Sequence, residues 1–445
     1  MTKIFIKTFG SATNKADSEQ MKGLLKQAEF EIINTIDNAD LVIINSCSLN
    51  QKKELEIKSL IENIKETYKI VIIAGCLAQL QSKEYQEFSL IGTKQINNIV
   101  EVVEEALNNN TVRCLMTNEL PELNTSIIRN NDLIEIIPIT RGYLNQCNFC
   151  KLKSEQDTLQ SYSVEDIIKR ANKAIQDGVK QIWLTSQDTA NYGFDINTNL
   201  PILINQITNI PSDFRVRIGM MTPHNLQKIQ TELIESYKNP KIFKFLHLPI
   251  NSGNNNVLKN MKLNYNIEDF DKQVLAFRRA IPNISVMTDV IVGFPSETPQ
   301  QFFNTITLLR KTSPDYTNVS KFENNSISTE LNESEIDEGM VEENEIKRRF
   351  RVTNEVSQNI ALLAHEKWHN WVGEIILTKK DKHTNQFIGY TPSYTQVAVA
   401  GDYKLGQKLN VKITKTGIYG LIGEKESKNS LKSEENVVKL QIVND

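Results

Sequence analysis

The chain repeats one pattern in two long series: a short run of apolar, often β-branched residues, a turn, and then a stretch with apolar residues at helical spacing. Lys3 to Thr8 alternates like a strand, while Leu41-Val42-Ile43-Ile44-Asn45 and Ile70-Val71-Ile72-Ile73-Ala74 are continuous apolar runs of the kind buried on both faces of a sheet. Between them, Asp17-Ser18-Glu19 precedes an amphipathic run through Met21, Leu24 and Leu25, and Leu55, Ile57, Leu60 and Ile64 recur at helical spacing. Strands that alternate with helices pair in parallel, so residues 1–115 read as a parallel α/β domain. Residues 115–134, with Asn124-Thr125 and Asn130-Asn131-Asp132, read as a loop-rich connection. Six further strand-like segments follow, around residues 136–140, 182–186, 214–220, 243–248, 286–292 and 316–322, with helical patterns such as 164–177 and 302–311 between them. This second series, residues 135–365, fits a full or partial (β/α) barrel, in which chemistry gathers at the carboxyl ends of the strands.

The remainder has a different character. A helical stretch over 342–370 carries Lys347-Arg348-Arg349-Phe350-Arg351, and residues 371–428 break into short strand-like pieces punctuated by Gly389, Gly401, Gly406 and Gly417, as in a small β-barrel. The whole chain has a net charge of -3, yet residues 371–428 hold nine lysines against five acidic residues, a local +4 that points to RNA. Residues 429–445 form a polar tail. Five cysteines in 445 residues do not make a disulfide framework and fit a reducing compartment. Lys3-Ile4-Phe5-Ile6-Lys7 does not read as a signal peptide, and no apolar run approaches the ~18 residues of a membrane span, so the expected location is the cytoplasm, with no membrane partner.

The cysteines carry the chemistry. Cys147 and Cys150 follow the first barrel strand, at a spacing that lets two thiolates grip one metal centre, but a closed zinc or iron site needs about four ligands. Position 143, which would complete C-x3-C-x2-C, is Tyr143. In the N-terminal series, Cys47 and Cys76 follow strand ends, and Ser11 occupies the same place after the first strand. Buried cysteine is often simply core, and Cys114 in the connection reads that way. Cys147 and Cys150 alone also match a redox pair or half a zinc site, neither of which accounts for Cys47 and Cys76. A rival motif, His365-Glu366-Lys367-Trp368-His369, fits the H-E-x-x-H of zinc hydrolases, although no third ligand stands in a recognisable frame.

Taken in order, Gly10-Ser11-Ala12-Thr13-Asn14, Ile44-Asn45-Ser46-Cys47, Ala74-Gly75-Cys76-Leu77-Ala78-Gln79 and Thr140-Arg141-Gly142-Tyr143 through Cys147 and Cys150 resemble the successive motifs of the radical-SAM methylthiotransferases. Leu184-Thr185-Ser186-Gln187-Asp188-Thr189, Met220-Met221-Thr222-Pro223, His247-Leu248-Pro249 and Asp289-Val290-Ile291-Val292-Gly293-Phe294-Pro295 are most similar to the branch acting on threonylcarbamoyladenosine of tRNA. The resemblance covers nearly the whole chain and places the family's RNA-binding TRAM module at residues 371–428. It implies two [4Fe-4S] clusters: one in the barrel, at Tyr143, Cys147 and Cys150, which leaves one iron open for S-adenosyl-L-methionine, and one at Ser11, Cys47 and Cys76 that supports sulfur delivery. Each triplet has one thiol replaced, by an oxygen-bearing side chain that holds iron less well than thiolate does. Gln187 and Asp188 are expected to meet the amino and ribose groups of S-adenosylmethionine, Arg217 its carboxylate, and Gly293 to let adenine approach the backbone. The bland readings are a helix cap for Asp188 and an ion pair for Arg217. The functional expectation is methylthiolation of threonylcarbamoyladenosine in tRNA, beside a tRNA-binding relative that has given up catalysis.

Overall fold

The structure, a computed structural model, describes residues 1–47, 51–67, 69–115, 117, 119–142, 158–323 and 339–426. Six strands, β1 (Lys3–Thr8), β2 (Glu31–Ile33), β3 (Leu41–Ser46), β4 (Ile70–Gly75), β5 (Ser89–Ile91) and β6 (Arg113–Cys114), form an all-parallel sheet in the order β2-β1-β3-β4-β5-β6. The two-residue period of a strand explains the layering. Leu41, Ile43, Ile72 and Ala74 face one core with Met21, Leu25, Ile99 and Val102, while Val42, Ile44, Val71 and Ile73 face another with Ile57, Ile61 and Leu77. Helices on both faces leave β3 wholly buried, which is why its sequence is a continuous apolar run.

The second series forms β7 (Ile134–Pro138), a short antiparallel pair β8 (Thr140–Arg141) and β9 (Gln160–Ser161), then β10 (Gln181–Thr185), β11 (Arg215–Ile218), β12 (Phe245–His247), β13 (Ser285–Val292) and β14 (Tyr316–Lys321). Two parallel sheets, β11-β10-β7 and β12-β13-β14, are joined by a bridge between Val216 and Ile242, giving an open six-stranded barrel. Three of its helices start on side-chain caps. Ser163, Asn199 and Thr298 accept hydrogen bonds from the backbone N–H groups of Asp166, Ile202 and Gln301. A long helix, Glu343–Glu366, packs on β14 and leads into a closed barrel of β15 (Val372–Lys380), β16 (Phe387–Tyr390), β17 (Gln396–Val399), β19 (Leu421–Lys425) and β18 (Lys408–Thr416), in that order. Its lysines, among them Lys379, Lys404, Lys412 and Lys415, are exposed. The basic run on the long helix is largely neutralised instead: Lys347 pairs with Glu343, Arg348 with Glu345, and Arg349 is buried against Glu297. Among the described residues no helix is long and apolar enough to cross a membrane.

The connection between the first two domains packs tightly on the helix Ala12–Gln27. A side chain at Gly23 would meet Ser126 backbone atoms at 2.2 and 2.3 Å, and the Glu19 carboxylate accepts the Asn130 N–H at 2.8 Å. Glu19 is 3% exposed, and burial pushes its carboxyl up to about 7 from an ordinary 4.5. Between those two values the unfolded chain has lost its proton while the folded chain keeps it, so each rising pH unit removes about 1.4 kcal/mol of stability. Glu19→Gln should therefore remove a decline of roughly 3 kcal/mol between pH 4.5 and 7, with the variant more stable than the parent at pH 8. Urea denaturation at pH 5 and pH 8 reads this directly.

Candidate active site between the N-terminal domain and the barrel

Strands β1, β3 and β4 end side by side, and the three positions singled out after them meet at one cavity. Cys47, 4% exposed, follows β3 directly, and Cys76, 7% exposed, opens the short helix Cys76–Leu80 after β4. Glycine is needed where the turns close. At Gly10, with φ of +118, a side chain would lie 2.5 Å from the Cys47 Cβ, and at Gly75, with φ of +87, it would meet the Ser46 carbonyl at 2.4 Å. Cys47 hydrogen-bonds the Cys76 thiol and holds it below its ordinary pKa, against the opposing effect of burial. Ser11 lies at the rim, where its hydroxyl donates to Asn14 Oδ1 at 3.1 Å.

The other wall of this cavity, which measures about 80 Å³, belongs to the barrel: Thr140, Arg141, Gly142 and Gln187 line it together with Ser11, Cys47 and Cys76. Two contacts clamp the walls together. Arg141 donates two hydrogen bonds to the Asp17 carboxylate, at 3.1 and 2.5 Å, with both side chains almost wholly buried. Burial disfavours the guanidinium charge, but Asp17 and Tyr162 more than restore it and raise the Arg141 pKa. Beside this pair the hydroxyls of Thr13 and Thr185 lie 3.4 Å apart. Tyr143, Cys147 and Cys150 lie outside the described residues, directly after the Gly142 that lines the cavity.

The remaining expected residues fare differently. Gln187 lines the cavity. Asp188 does not meet a ligand: it is fully buried, one oxygen accepts the N–H groups of Ala190 and Thr222, and the other accepts the Thr222 hydroxyl and the Asn225 amide. Its carboxylate is saturated, so the cap reading holds and the cofactor reading is corrected. Gly293 is corrected as well. The space a side chain would take there is filled by Ile346 of the long helix at 2.6 Å, and its N–H is bonded to Glu297. Arg217 projects among the rings of Trp183, Phe245 and Tyr394, each 5.2 to 5.4 Å from the guanidinium, and its buried Nε has no hydrogen-bond partner among the described residues. An orphaned buried donor on a cation fits an incoming carboxylate, as S-adenosylmethionine would supply.

A polar cluster in the barrel was missed. His247 Nε2 lies 2.7 Å from Asp289, whose other oxygen accepts the Asn318 amide at 2.8 Å, and His247 with its neighbour holds the Asp289 carboxyl low despite burial. The available signal was alternation, because each of the three occupies an inward-pointing step of a different strand.

The donor set decides what iron chemistry the N-terminal side can host. Two adjacent thiols suit a soft metal centre, but Ser11 supplies an alcohol committed to Asn14, so the residues present do not match a three-thiolate cluster. Among the described residues no group of three or more His, Cys, Asp or Glu side chains is arranged to hold a metal. The zinc-hydrolase motif is overturned. His365 is fully buried, with Nδ1 2.7 Å from the Gly417 carbonyl and its ring against Tyr316, whereas the helix ends at Glu366 and His369 is exposed.

Two family profiles match the chain, Uncharacterized protein family UPF0004 over residues 3–92 and the Radical SAM superfamily over residues 137–309. The probable threonylcarbamoyladenosine tRNA methylthiotransferase of Pyrococcus abyssi is 39% identical across 72% of this chain and 77% of its own length. Its counterpart in Methanocaldococcus jannaschii is 33% identical across 95% and 96%, and the threonylcarbamoyladenosine tRNA methylthiotransferase of Drosophila melanogaster 33% across 95% and 77%. Among solved structures, the radical S-adenosylmethionine methyltransferase TsrM from Kitasatospora setae, with cobalamin and a [4Fe-4S] cluster bound, shares the fold with a TM-score of 0.51 at 12% identity, over 72% of this chain and 75% of that one. With two strand-end thiols facing the mouth of an open six-stranded barrel, and relatives of this identity along almost its full length, the chain belongs to the radical-SAM methylthiotransferase family, in the branch of the threonylcarbamoyladenosine tRNA methylthiotransferases.

Proposed function

We propose that this protein adds a methylthio group to threonylcarbamoyladenosine in tRNA, acting in the cytoplasm. One observation supports this above the others: Cys47 and Cys76 share a cavity with Thr140, Arg141, Gly142 and Gln187, so the thiols of the first domain and the barrel mouth line one space. S-adenosylmethionine at a [4Fe-4S] centre supplies, when bound, the radical chemistry that removes hydrogen from the adenine base. Cys147 and Cys150, with position 143, are the residues that would hold that centre. Arg217, whose Nε has no hydrogen-bond partner among the described residues, would neutralise the carboxylate of S-adenosylmethionine, and Gln187 would meet its amino or ribose groups from the cavity wall. Arg141, fixed by Asp17, sets the position at which the chain enters the cysteine loop. The tRNA backbone is assigned to the exposed lysines of the C-terminal barrel, which would release counterions on contact with phosphates.

The arrangement of Ser11 favours a second reading, a relative that binds tRNA without modifying it. Expression in a host that lacks its own methylthiolation of this nucleoside separates the two. Nucleoside mass spectrometry should show the 2-methylthio derivative of threonylcarbamoyladenosine, whereas unmodified nucleoside from a protein that still retains tRNA would install the second reading.

The positional assignment has its own test. Anaerobic reconstitution of the Tyr143→Cys, Ser11→Cys double variant should raise iron and sulfide per chain well above the parent. Equal contents in the two proteins would contradict the assignment of these positions as ligand sites.

A further inference from the structure

The cavity between the two domains has donors that its protein neighbours leave open. Ser46 and Gly75 pair in register at the ends of β3 and β4, so the residues that follow them, Cys47 and Cys76, stand side by side with their thiols hydrogen-bonded. From the barrel side Thr140 and Arg141 line the same space. Arg141 directs its two terminal nitrogens to Asp17, but its Nε has no hydrogen-bond partner among the described residues, and neither has the Thr140 hydroxyl. Arg141 is 6% exposed and Thr140 2%. Leaving a buried donor unpaired is costly, so two of them on one cavity mark a place that an anion completes.

The thiols narrow the choice of anion. With Ser11 committed to Asn14, the pair lacks the third thiolate of a cluster, yet methylthiolation needs one sulfur atom at this mouth. A cysteine can hold that atom itself. In a persulfide the added outer sulfur carries the negative charge, which a guanidinium N–H and a hydroxyl are suited to receive. The cavity of about 80 Å³ has room for one sulfur beside the thiols. Of the two, Cys76 receives the Cys47 hydrogen bond and lies within electrostatic reach of Arg141, which marks it as the nucleophile.

We propose that Cys76 carries the sulfur atom for the reaction as a persulfide, with Cys47, Arg141 and Thr140 as its positioning residues, in place of sulfide bound to iron. This rests on the reading of the protein as a methylthiotransferase. Loading is an exchange with no net redox change. Cys76 Sγ attacks the outer sulfur of a low-molecular-weight persulfide, the donor's S–S bond breaks with its electron pair leaving on the donor thiolate, and the outer sulfur, now bonded to Cys76, releases its proton to water. In delivery, the radical centre left on the base by hydrogen removal bonds the outer sulfur while the S–S bond parts homolytically. One electron from a one-electron reductant and one proton return Cys76 to the thiol. The thiolate now on the base takes its methyl group from S-adenosylmethionine, and S-adenosylhomocysteine leaves.

The test uses the full chain, stripped of iron with a chelator under anaerobic conditions, equilibrated with glutathione persulfide and glutathione, alkylated and read by peptide mass spectrometry. Cys76 should take up the added sulfur with an equilibrium constant about tenfold above that of Cys114, which is more exposed but stands outside the cavity. Thr140→Val, which leaves the Asp17–Arg141 clamp whole, should lower that ratio about fivefold. Should Thr140→Val not fold, Arg141→Lys keeps the charge, removes Nε and is read in the same way. A ratio near one in the parent, or a ratio unchanged in the variant, overturns the inference. Nucleoside mass spectrometry separates the levels: sulfur on Cys76 in a protein that forms no methylthio nucleoside fails the functional reading, whereas methylthio nucleoside formed by Cys76→Ser fails the carrier alone.

Discussion

The buried pair of Asp17 and Arg141 sets the geometry on which the site depends. Asp17 sits on the first helix of the N-terminal domain and Arg141 immediately precedes the cysteine loop of the barrel, so one bidentate contact aligns the strand ends of two separate parallel sheets. Such a pair adds little net stability, because desolvating two charges costs about as much as their attraction returns, yet removing one partner strands the other at a cost of about 3–5 kcal/mol. Its value is therefore in geometry. An apolar contact could hold the domains together in several registers, but the planar fork of arginine against a carboxylate defines one.

That register gives the rest of the cavity its meaning. Parallel sheets collect functional groups at their carboxyl ends, and two such ends placed mouth to mouth bring the thiols of one domain to the entrance of the other. Cys47 and Cys76 would be ordinary buried cysteines in an isolated α/β domain. Opposite Gly142 and Gln187 they line one cavity that both domains share. Glu19 and the backbone around Gly23 extend the same docking surface along the connection between the domains, where their burial makes it sensitive to pH.

The strands were legible because their burial is simple. A strand covered on both faces needs apolar residues throughout, as in β3 and β4, and the barrel strands are bounded by turn residues that sequence displays openly. The convergence of Ser11, Cys47 and Cys76 was legible for the same reason, since equivalent places after parallel strands are neighbours in space. The errors share a different cause. Asp188 and Gly293 were assigned from local context, but what occupies them comes from afar: Thr222 and Asn225 saturate the carboxylate, and Ile346 fills the space beside the glycine. The Asp17–Arg141 pair, the His247–Asp289–Asn318 cluster and the ring of Tyr394 against Arg217 join residues far apart in the chain, and no local periodicity reports such partners.

The shared mouth is tested most directly by a covalent ruler across it. The hydroxyls of Thr13 and Thr185 lie 3.4 Å apart, one in each domain, so thiols introduced at these two positions face each other across the mouth. In a Thr13→Cys, Thr185→Cys protein exposed to mild oxidant, peptide mass spectrometry should find these two positions joined within a single chain. If both introduced cysteines instead remain unjoined and open to alkylation in the folded protein, the two domains do not meet at this mouth and the account of a common site is contradicted.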